Sequence, residues 1–396
     1  MRPDLQQAFI QKVTDERYNA FKNALNTELG LEIQYRVCEM PIFVSSAFRR
    51  KLEDASIEII RQCTTPEYLA TTAPTLSAEH TVPHEAPRPL FSVVDFAVCE
   101  DGAGDFVPRL IELQGFPSLL GYQYLYASRM RDAYDLTGTT PFFSGLNDER
   151  YIEILRSAIY AGHHPSECAL LEWDPVHQKT RPDFVEMERL IGLQTVDIRD
   201  IRIRGKEVWV EHDSEPPFRL RRIFNRAIID ELQDVGAQLH FNWTDDLDVE
   251  WAGHPNWYFR ISKYSMPYLS HETVPSTRFL DTIHELPDDL ERYVLKPLYS
   301  FAGKGVIVSP TREEVEAVPV DTRHLWILQE KVTYAECIAT PHGNNKVEIR
   351  VMLIWPERNH LPIPVMSLAR SGRGLLMGAR YNTEPWTGST GCLFTD

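Results

Sequence analysis

The sequence predicts a mixed α/β protein, combining α/β and α+β organisation, on three observations. An apolar strand pattern ending in a lysine, YVLKP (293–297), runs through SFAGKG (300–305) into a second strand pattern. Two further strand patterns, at 90–99 and 106–114, flank a glycine turn. Strand, helix and strand patterns then alternate between 168 and 199.

With 396 residues, 43% of them hydrophobic and 11% aromatic, the chain is long enough for two or three lobes and a large core. A formal charge of −16 argues against general affinity for nucleic acid or an anionic membrane, so an anionic ligand must find a local basic pocket. The six cysteines are scattered, with no C-x-x-C pair and no zinc spacing, as expected of reduced thiols. The first residues, MRPDLQQ, lack the apolar core of a signal peptide, and no apolar run reaches the roughly 18 residues of a membrane span. The expected location is the cytoplasm. If the protein associates, a symmetric homodimer is the default expectation.

Taken in order, residues 5–63 mix apolar and charged positions at helical spacing. In FRRKLEDASIEIIR (48–61) the apolar residues recur near i, i+4 and i+8. A proline- and threonine-containing connection follows at 64–89. EDGAGD (100–105) is the turn of a hairpin between 90–99 and 106–114. CALLEW (168–173) reads as a strand, 182–192 as a helix and 195–199 as a strand, with a second hairpin around Arg204 and Gly205. From about 260 the pattern changes to strands at 293–298, 305–309, 325–332, 347–355 and 365–369. Thr311 stands three residues ahead of Glu314 in TREEVEA (311–317), the signature of a capping box on a short helix. Trp386 and 388–391 read as an ordered loop. The expected division is 1–150, a helical segment plus the hairpin; 151–258, an α/β substrate lobe; and 259–396, a nucleotide-binding lobe.

Several residues could carry chemistry. Lys296 at a strand end, with Gly303 and Gly305 clearing space for backbone amides, suits nucleotide phosphates. The segment is neither a Walker A motif nor a G-x-G-x-x-G fingerprint, and a surface turn with a snorkelling lysine is the plain alternative. Glu112 and Gln114 are two apart and share a strand face, and hairpin pairing brings Asp95 near them. Close carboxylates among apolar residues call for a cation, and hard oxygen ligands suit Mg2+; a solvated sheet face is the alternative. His163, His164 and His342 have no partner at metal spacing and read as loop histidines. Arg221, Arg222 and Arg226 straddle an apolar helix start, either as a salt-bridged face or as an anion site. Glu348 and Arg350 share a strand face, as a structural ion pair or as pocket lining.

In order, VDF (94–96), LIELQG (110–115), ISKYSMP (261–267) and YVLKP with SFAGKG resemble the circularly permuted ATP-grasp ligases, notably glutathionylspermidine synthase and the eukaryotic type of glutathione synthetase. The resemblance implies an ATP-grasp fold with a helical N-terminal segment and a pre-ATP-grasp-like lobe. It implies Mg2+ on Asp95, Glu112 and Gln114, and ATP phosphates on Lys263 and Lys296 under a loop containing Ser300, Gly303, Lys304 and Gly305. It further implies an adenine-facing hinge at Gln329, Glu330, Lys331 and Val332, catalytic roles for Arg370 and Lys296, a polar contact near Asn382, and acceptor contacts at 118–126. Two positions depart from the family pattern: Gln114 stands for asparagine, and Val93 for an arginine that Arg109, Arg50 or one of Arg221, Arg222 and Arg226 would replace.

The implied activity is that of an ADP-forming, ATP-dependent carboxylate–amine ligase. It would act through an acyl-phosphate on small-molecule or peptide carboxylates and amines, with neither nucleic acid nor membrane as partner. The alternatives are an ATP-binding module with weakened catalysis and a sensing or assembly role, and a small-molecule kinase on the same scaffold.

Overall fold

The computed structural model describes residues 1–212, 216–299, 304–378 and 381–395. Its centre is an antiparallel sheet built around the predicted hairpin, whose strands are Phe91–Glu100 and Phe106–Gln114. Across the sheet the order is Gly388–Thr390, Ile363–Gly372, Gly343–Ile354, Phe91–Glu100 and Phe106–Gln114, with Ile338–Thr340 also paired to Gly343–Ile354. Phe91–Glu100 is buried at every residue but the last, as a near-continuous apolar run between two covered faces must be.

One face, carrying Val94, Phe96 and Val98, packs on Phe48, Leu52 and Ile59 of the helix Ser46–Gln62 and on Tyr126 and Met130 of the helix Leu120–Tyr134. The other face carries Phe91 and Val93 against Ile154, Leu155 and Phe184, and its next inward position is Asp95. A bulge beside Asp95 makes Ile111 an extra residue in the partner strand, so that Glu112 stands opposite Asp95 and Leu110 opposite Phe96.

The N-terminal segment is helical as its periodicity predicts. Thr14 and Ser45 cap Asp15–Leu29 and Ser46–Gln62, and Gly30 ends the former in the left-handed region at φ 62°. Between these helices Ile42–Ser45 forms a strand parallel to Cys392–Thr395. Together with Gly388–Thr390, this corrects the expectation of a C-terminal loop. The Gly-Ser-Thr composition carries no strand signal of its own, and the pairing joins opposite ends of the chain.

A parallel sheet has the order Glu250–Ala252, Arg222–Asn225, Cys168–Glu172, Gln194–Asp197, with Arg181–Ile191 as a crossover helix. The arginine run therefore lies in and around a buried strand and does not open a helix, which corrects the sequence expectation. A run this short has no decisive period, and burial between neighbouring strands settles it. A small sheet of Ile201–Arg204, Glu207–Val210 and Phe218–Leu220 contains the second predicted hairpin.

The last sheet orders Thr277–Phe279, Trp326–Glu330, Tyr293–Pro297 and Ile307–Val308. Leu295 and Leu328 cover a core with Leu280 and Val315, the latter on the short helix Arg312–Glu316, whose Thr311–Glu314 capping box is formed in both directions. Among the described residues no helix is long and apolar enough to cross a membrane.

Candidate active site

Lys296 and Lys263 reach the same place from different parts of the chain. Lys296 stands opposite Ile327 on the sheet face away from Leu295 and Leu328. Its Nζ donates to the carbonyl of Ile111, the bulge residue beside Glu112, at 3.1 Å. Lys263 begins a 3-10 turn capped by Ser262, and its Nζ lies 4.0 Å from Glu112 Oε2. Glu112, Gln114, Ser262, Lys263, Tyr258 and Tyr299 line one small pocket. Burial pushes the Lys296 ammonium down to about 8, with Lys263 adding to the fall and Glu112 opposing it. Lys263 is also lowered by burial against the opposing pull of Glu112.

Asp95, fully buried, stands between Glu112 on one neighbouring strand and Arg350 on the other. Arg350 donates Nε to Asp95 Oδ1 at 2.6 Å and Nη2 to Oδ2 at 2.5 Å, while Nη2 lies 3.8 Å from Glu112 Oε1. In the next row Arg370 Nη1 donates to Glu348 Oε1 at 2.6 Å and lies 3.6 Å from Asp95 Oδ2. Tyr334 donates its hydroxyl to Glu348 Oε2 at 2.8 Å. Burial works against an ionised Asp95, but the Arg350 guanidinium outweighs it and holds the carboxyl below its ordinary value. For Glu348 burial wins over Arg370, and its pKa rises.

The three oxygen ligands expected for Mg2+ therefore do not fit as a set. Both Asp95 oxygens are taken up by Arg350, which leaves Glu112 and Gln114 at the pocket. Apart from this set, which has only two carboxylates, no group of three His, Cys, Asp or Glu side chains among the described residues could hold a metal ion.

Of the other expected nucleotide contacts, Ser300 and Gly303 lie outside the described residues. Gly305 adopts φ 74°, and a Cβ there would come within 3.1 Å of Pro297. Lys304 is exposed, 4.0 Å from Asp234. Gln329 lies on the Lys296 face of its sheet, buried, with Nε2 making no hydrogen bond among the described residues. The backbone N–H groups of Glu330 and Lys331 are already donated to Ser276 and Arg292, and the Lys331 ammonium to the Glu291 carbonyl and Ser309 Oγ. Val332 follows in an irregular segment. Asn382 is buried and donates to the carbonyls of Met377 and Gly378.

A neighbouring set joins Arg226, which the sequence left open as part of an anion site, to Glu172 and Asn225, which it did not single out. In the parallel sheet the chain passes from Cys168–Glu172 outward to Gln194–Asp197 and then returns to the other side as Arg222–Asn225. The carboxyl ends of Cys168–Glu172 and Arg222–Asn225 thus meet at a topological switch point, where open α/β sheets form ligand crevices. Glu172, Asn225 and Arg226 end these strands, all buried. Asn225 Oδ1 and Arg226 Nε make no hydrogen bond among the described residues. Arg226 Nη1 donates to the carbonyls of Pro117 and Ser118, in the loop just after Gln114. Burial pushes Glu172 up to about 7 against the pull of Arg226. The available signal was polar residues following short apolar runs, Glu172 after CALL and Asn225 and Arg226 after IF. A larger cleft of about 610 Å³ lies elsewhere, where His84 and Lys206 contact Asp246 and His163 contacts Glu250, while its Arg221 and Asp248 pair with Glu167 and Arg219 outside it.

No protein-family model matches the sequence, and no curated protein matches it. Among solved structures, the fold is similar to that of a glutathione synthetase-like effector from Globodera pallida in its apo form. That match has a TM-score of 0.58 at 10% identity and covers 95% of this chain and 96% of the other. A gamma-glutamylcysteine synthetase candidate from Methylobacillus flagellatus KT aligns at a TM-score of 0.42 and 11% identity, over 90% of each chain. The first likeness establishes a shared overall fold along nearly the whole chain.

Proposed function

We propose that the protein is an ATP-dependent carboxylate–amine ligase on a circularly permuted ATP-grasp scaffold. The observation that carries this reading is the convergence of two buried lysines from separate segments, Lys263 and Lys296, beside Glu112. Buried ammonium groups are costly unless an anion meets them, and a nucleotide polyphosphate is such an anion. The fold shared with a glutathione synthetase-like protein supports the same chemistry by analogy.

On this reading a substrate carboxylate attacks the γ-phosphorus of ATP, ADP leaves, and an amine then displaces phosphate from the acyl-phosphate to form an amide. Lys263 and Lys296 hold phosphate oxygens, and Arg370 faces the charge that gathers on the transferred group. Glu172, Asn225 and Arg226 would hold the acceptor at the neighbouring switch point. No step is routed through a metal on Asp95.

The test is calorimetric titration of ATP into the 396-residue protein, followed by ADP release across a panel of carboxylate and amine pairs. Lys296→Ala should lower turnover by about 10²-fold or more. Unaltered ADP formation in that variant would sink the assignment. The engagement of Asp95 by Arg350 favours a second reading, a nucleotide-binding module without ligase turnover. ATP binding with no ADP release across the substrate panel would select it.

A further inference from the structure

Resting on the nucleotide reading above, we propose that Arg350 is a positioning residue that serves as the site's built-in counter-ion, with Asp95 as its clamp and not as a magnesium ligand. The register makes Glu112, Asp95 and Arg350 one cross-strand row on a single sheet face. A guanidinium presented edge-on matches a carboxylate with two parallel N–H donors, and it stays charged at any working pH. The contacts at 2.6 and 2.5 Å have this form, and the same guanidinium reaches within 3.8 Å of Glu112. A divalent ion bridging Asp95 and Glu112 would need the same Asp95 oxygens and the same space.

The next row repeats the arrangement with Glu348 and Arg370. Asp95, Glu112 and Glu348 thus face Arg350, Arg370, Lys263 and Lys296, an excess of positive charge before any metal arrives. Nucleotide binding here depends first on these protein cations and only secondarily on a divalent ion.

The test uses the 396-residue protein in four forms: wild type, Arg350→Lys, the double variant Asp95→Asn/Arg350→Gln, and Lys296→Ala as a nucleotide-site control. The double variant keeps the shape of the pair and leaves no buried charge uncompensated. ATP affinity is measured by calorimetry with Mg2+ and with EDTA, and binding of Mn2+ alone by electron paramagnetic resonance. Wild type should bind ATP in EDTA within about tenfold of its affinity with Mg2+. The double variant should lose at least about tenfold in EDTA and become Mg2+-dependent, with Arg350→Lys between the two. Mn2+ binding without nucleotide should be the same in wild type and the double variant.

Mn2+ that binds wild type and is lost from the double variant would make Asp95 a metal ligand and overturn the proposal, whatever ATP does. Variants that lower the melting temperature but leave the ratio of the two ATP affinities unchanged would reduce Arg350 to a structural tether. Strictly Mg2+-dependent ATP binding in wild type that requires Lys296 would overturn the Arg350 role while leaving the nucleotide reading standing. No ATP binding under any condition would overturn both.

Discussion

Replacing Lys296 with methionine should make the free protein more stable while abolishing its affinity for ATP. Burial lowers the Lys296 ammonium from its ordinary 10.5 to about 8. At 1.36 kcal/mol per pKa unit, this fall lowers folding stability by roughly 3 kcal/mol while the group stays charged at pH 7. Methionine keeps the unbranched stem and carries no charge, but it leaves the Ile111 carbonyl without its donor, a loss of about 1–2 kcal/mol. The net gain is about 1–2 kcal/mol, or roughly 2 °C in melting temperature for a chain of this length.

The sign with pH follows from linkage. Below pH 8 both folded and unfolded states hold the proton and the penalty is constant. From pH 8 to 10.5 the folded state sheds it first, so wild-type stability rises and the variant's advantage disappears. Scanning calorimetry at pH 7 and pH 10.5, with ATP titration at pH 7, measures all three effects. A Lys296→Met protein less stable than wild type at pH 7, or one that binds ATP with wild-type affinity, would refute the reasoning.

Glu172→Gln should flatten the pH dependence of stability between 4.5 and 7. In wild type, burial lets the folded state keep the Glu172 proton up to about pH 7 while the unfolded state loses it from 4.5, so stability falls across that window by up to about 3 kcal/mol; urea midpoints at pH 5 and pH 7 that move in parallel for both proteins would count against it. Gly115→Ala should cost about 1–3 kcal/mol and weaken ATP binding as well, because its Cβ would stand 2.3 Å from the Trp257 carbonyl oxygen, where Gly115 N–H also bonds Ile261, two residues before Lys263. Gly102→Ala, with open space around the added carbon, is the silent control; equal behaviour of the two alanine variants in melting and ATP titration would reject the packing argument.

What the sequence made legible was local. Alternation and a glycine turn specify the Phe91–Glu100 and Phe106–Gln114 hairpin, and Thr311 with Glu314 specify a helix start, because the groups that decide these features lie within a few residues of each other. The partner of Asp95 was not legible. Glu348 and Arg350 could be placed on one strand face, but only the pairing of Gly343–Ile354 with Phe91–Glu100 sets Arg350 opposite Asp95, and that register is a long-range choice. The same limit hid the Ile42–Ser45 and Cys392–Thr395 pair, which joins the two ends of the chain. It also hid the meeting of Arg226 with Glu172 and Asn225, which exists only because the parallel sheet reverses its strand order beside Cys168–Glu172.

The distribution of charge separates this region from the rest of the molecule. Many ion pairs are exposed, such as Arg61–Glu58, Arg150–Glu153 and Arg292–Asp289, each between residues three apart, and such pairs contribute little. Around the Asp95 strand and the switch point the order is reversed. Lys263, Lys296, Glu348 and Glu172 are buried, and in each the ionised form is disfavoured by desolvation. Apolar residues of similar volume in place of a whole buried pair would give an equally or more stable fold, whereas replacing Glu348 alone would strand the Arg370 guanidinium. A bound polyphosphate would change the balance, since its negative charge favours the ammonium forms that burial opposes. Lys263 and Lys296 are thus the buried groups that an anionic ligand would relieve, whereas the same negative charge would hold Glu348 and Glu172 in their neutral forms.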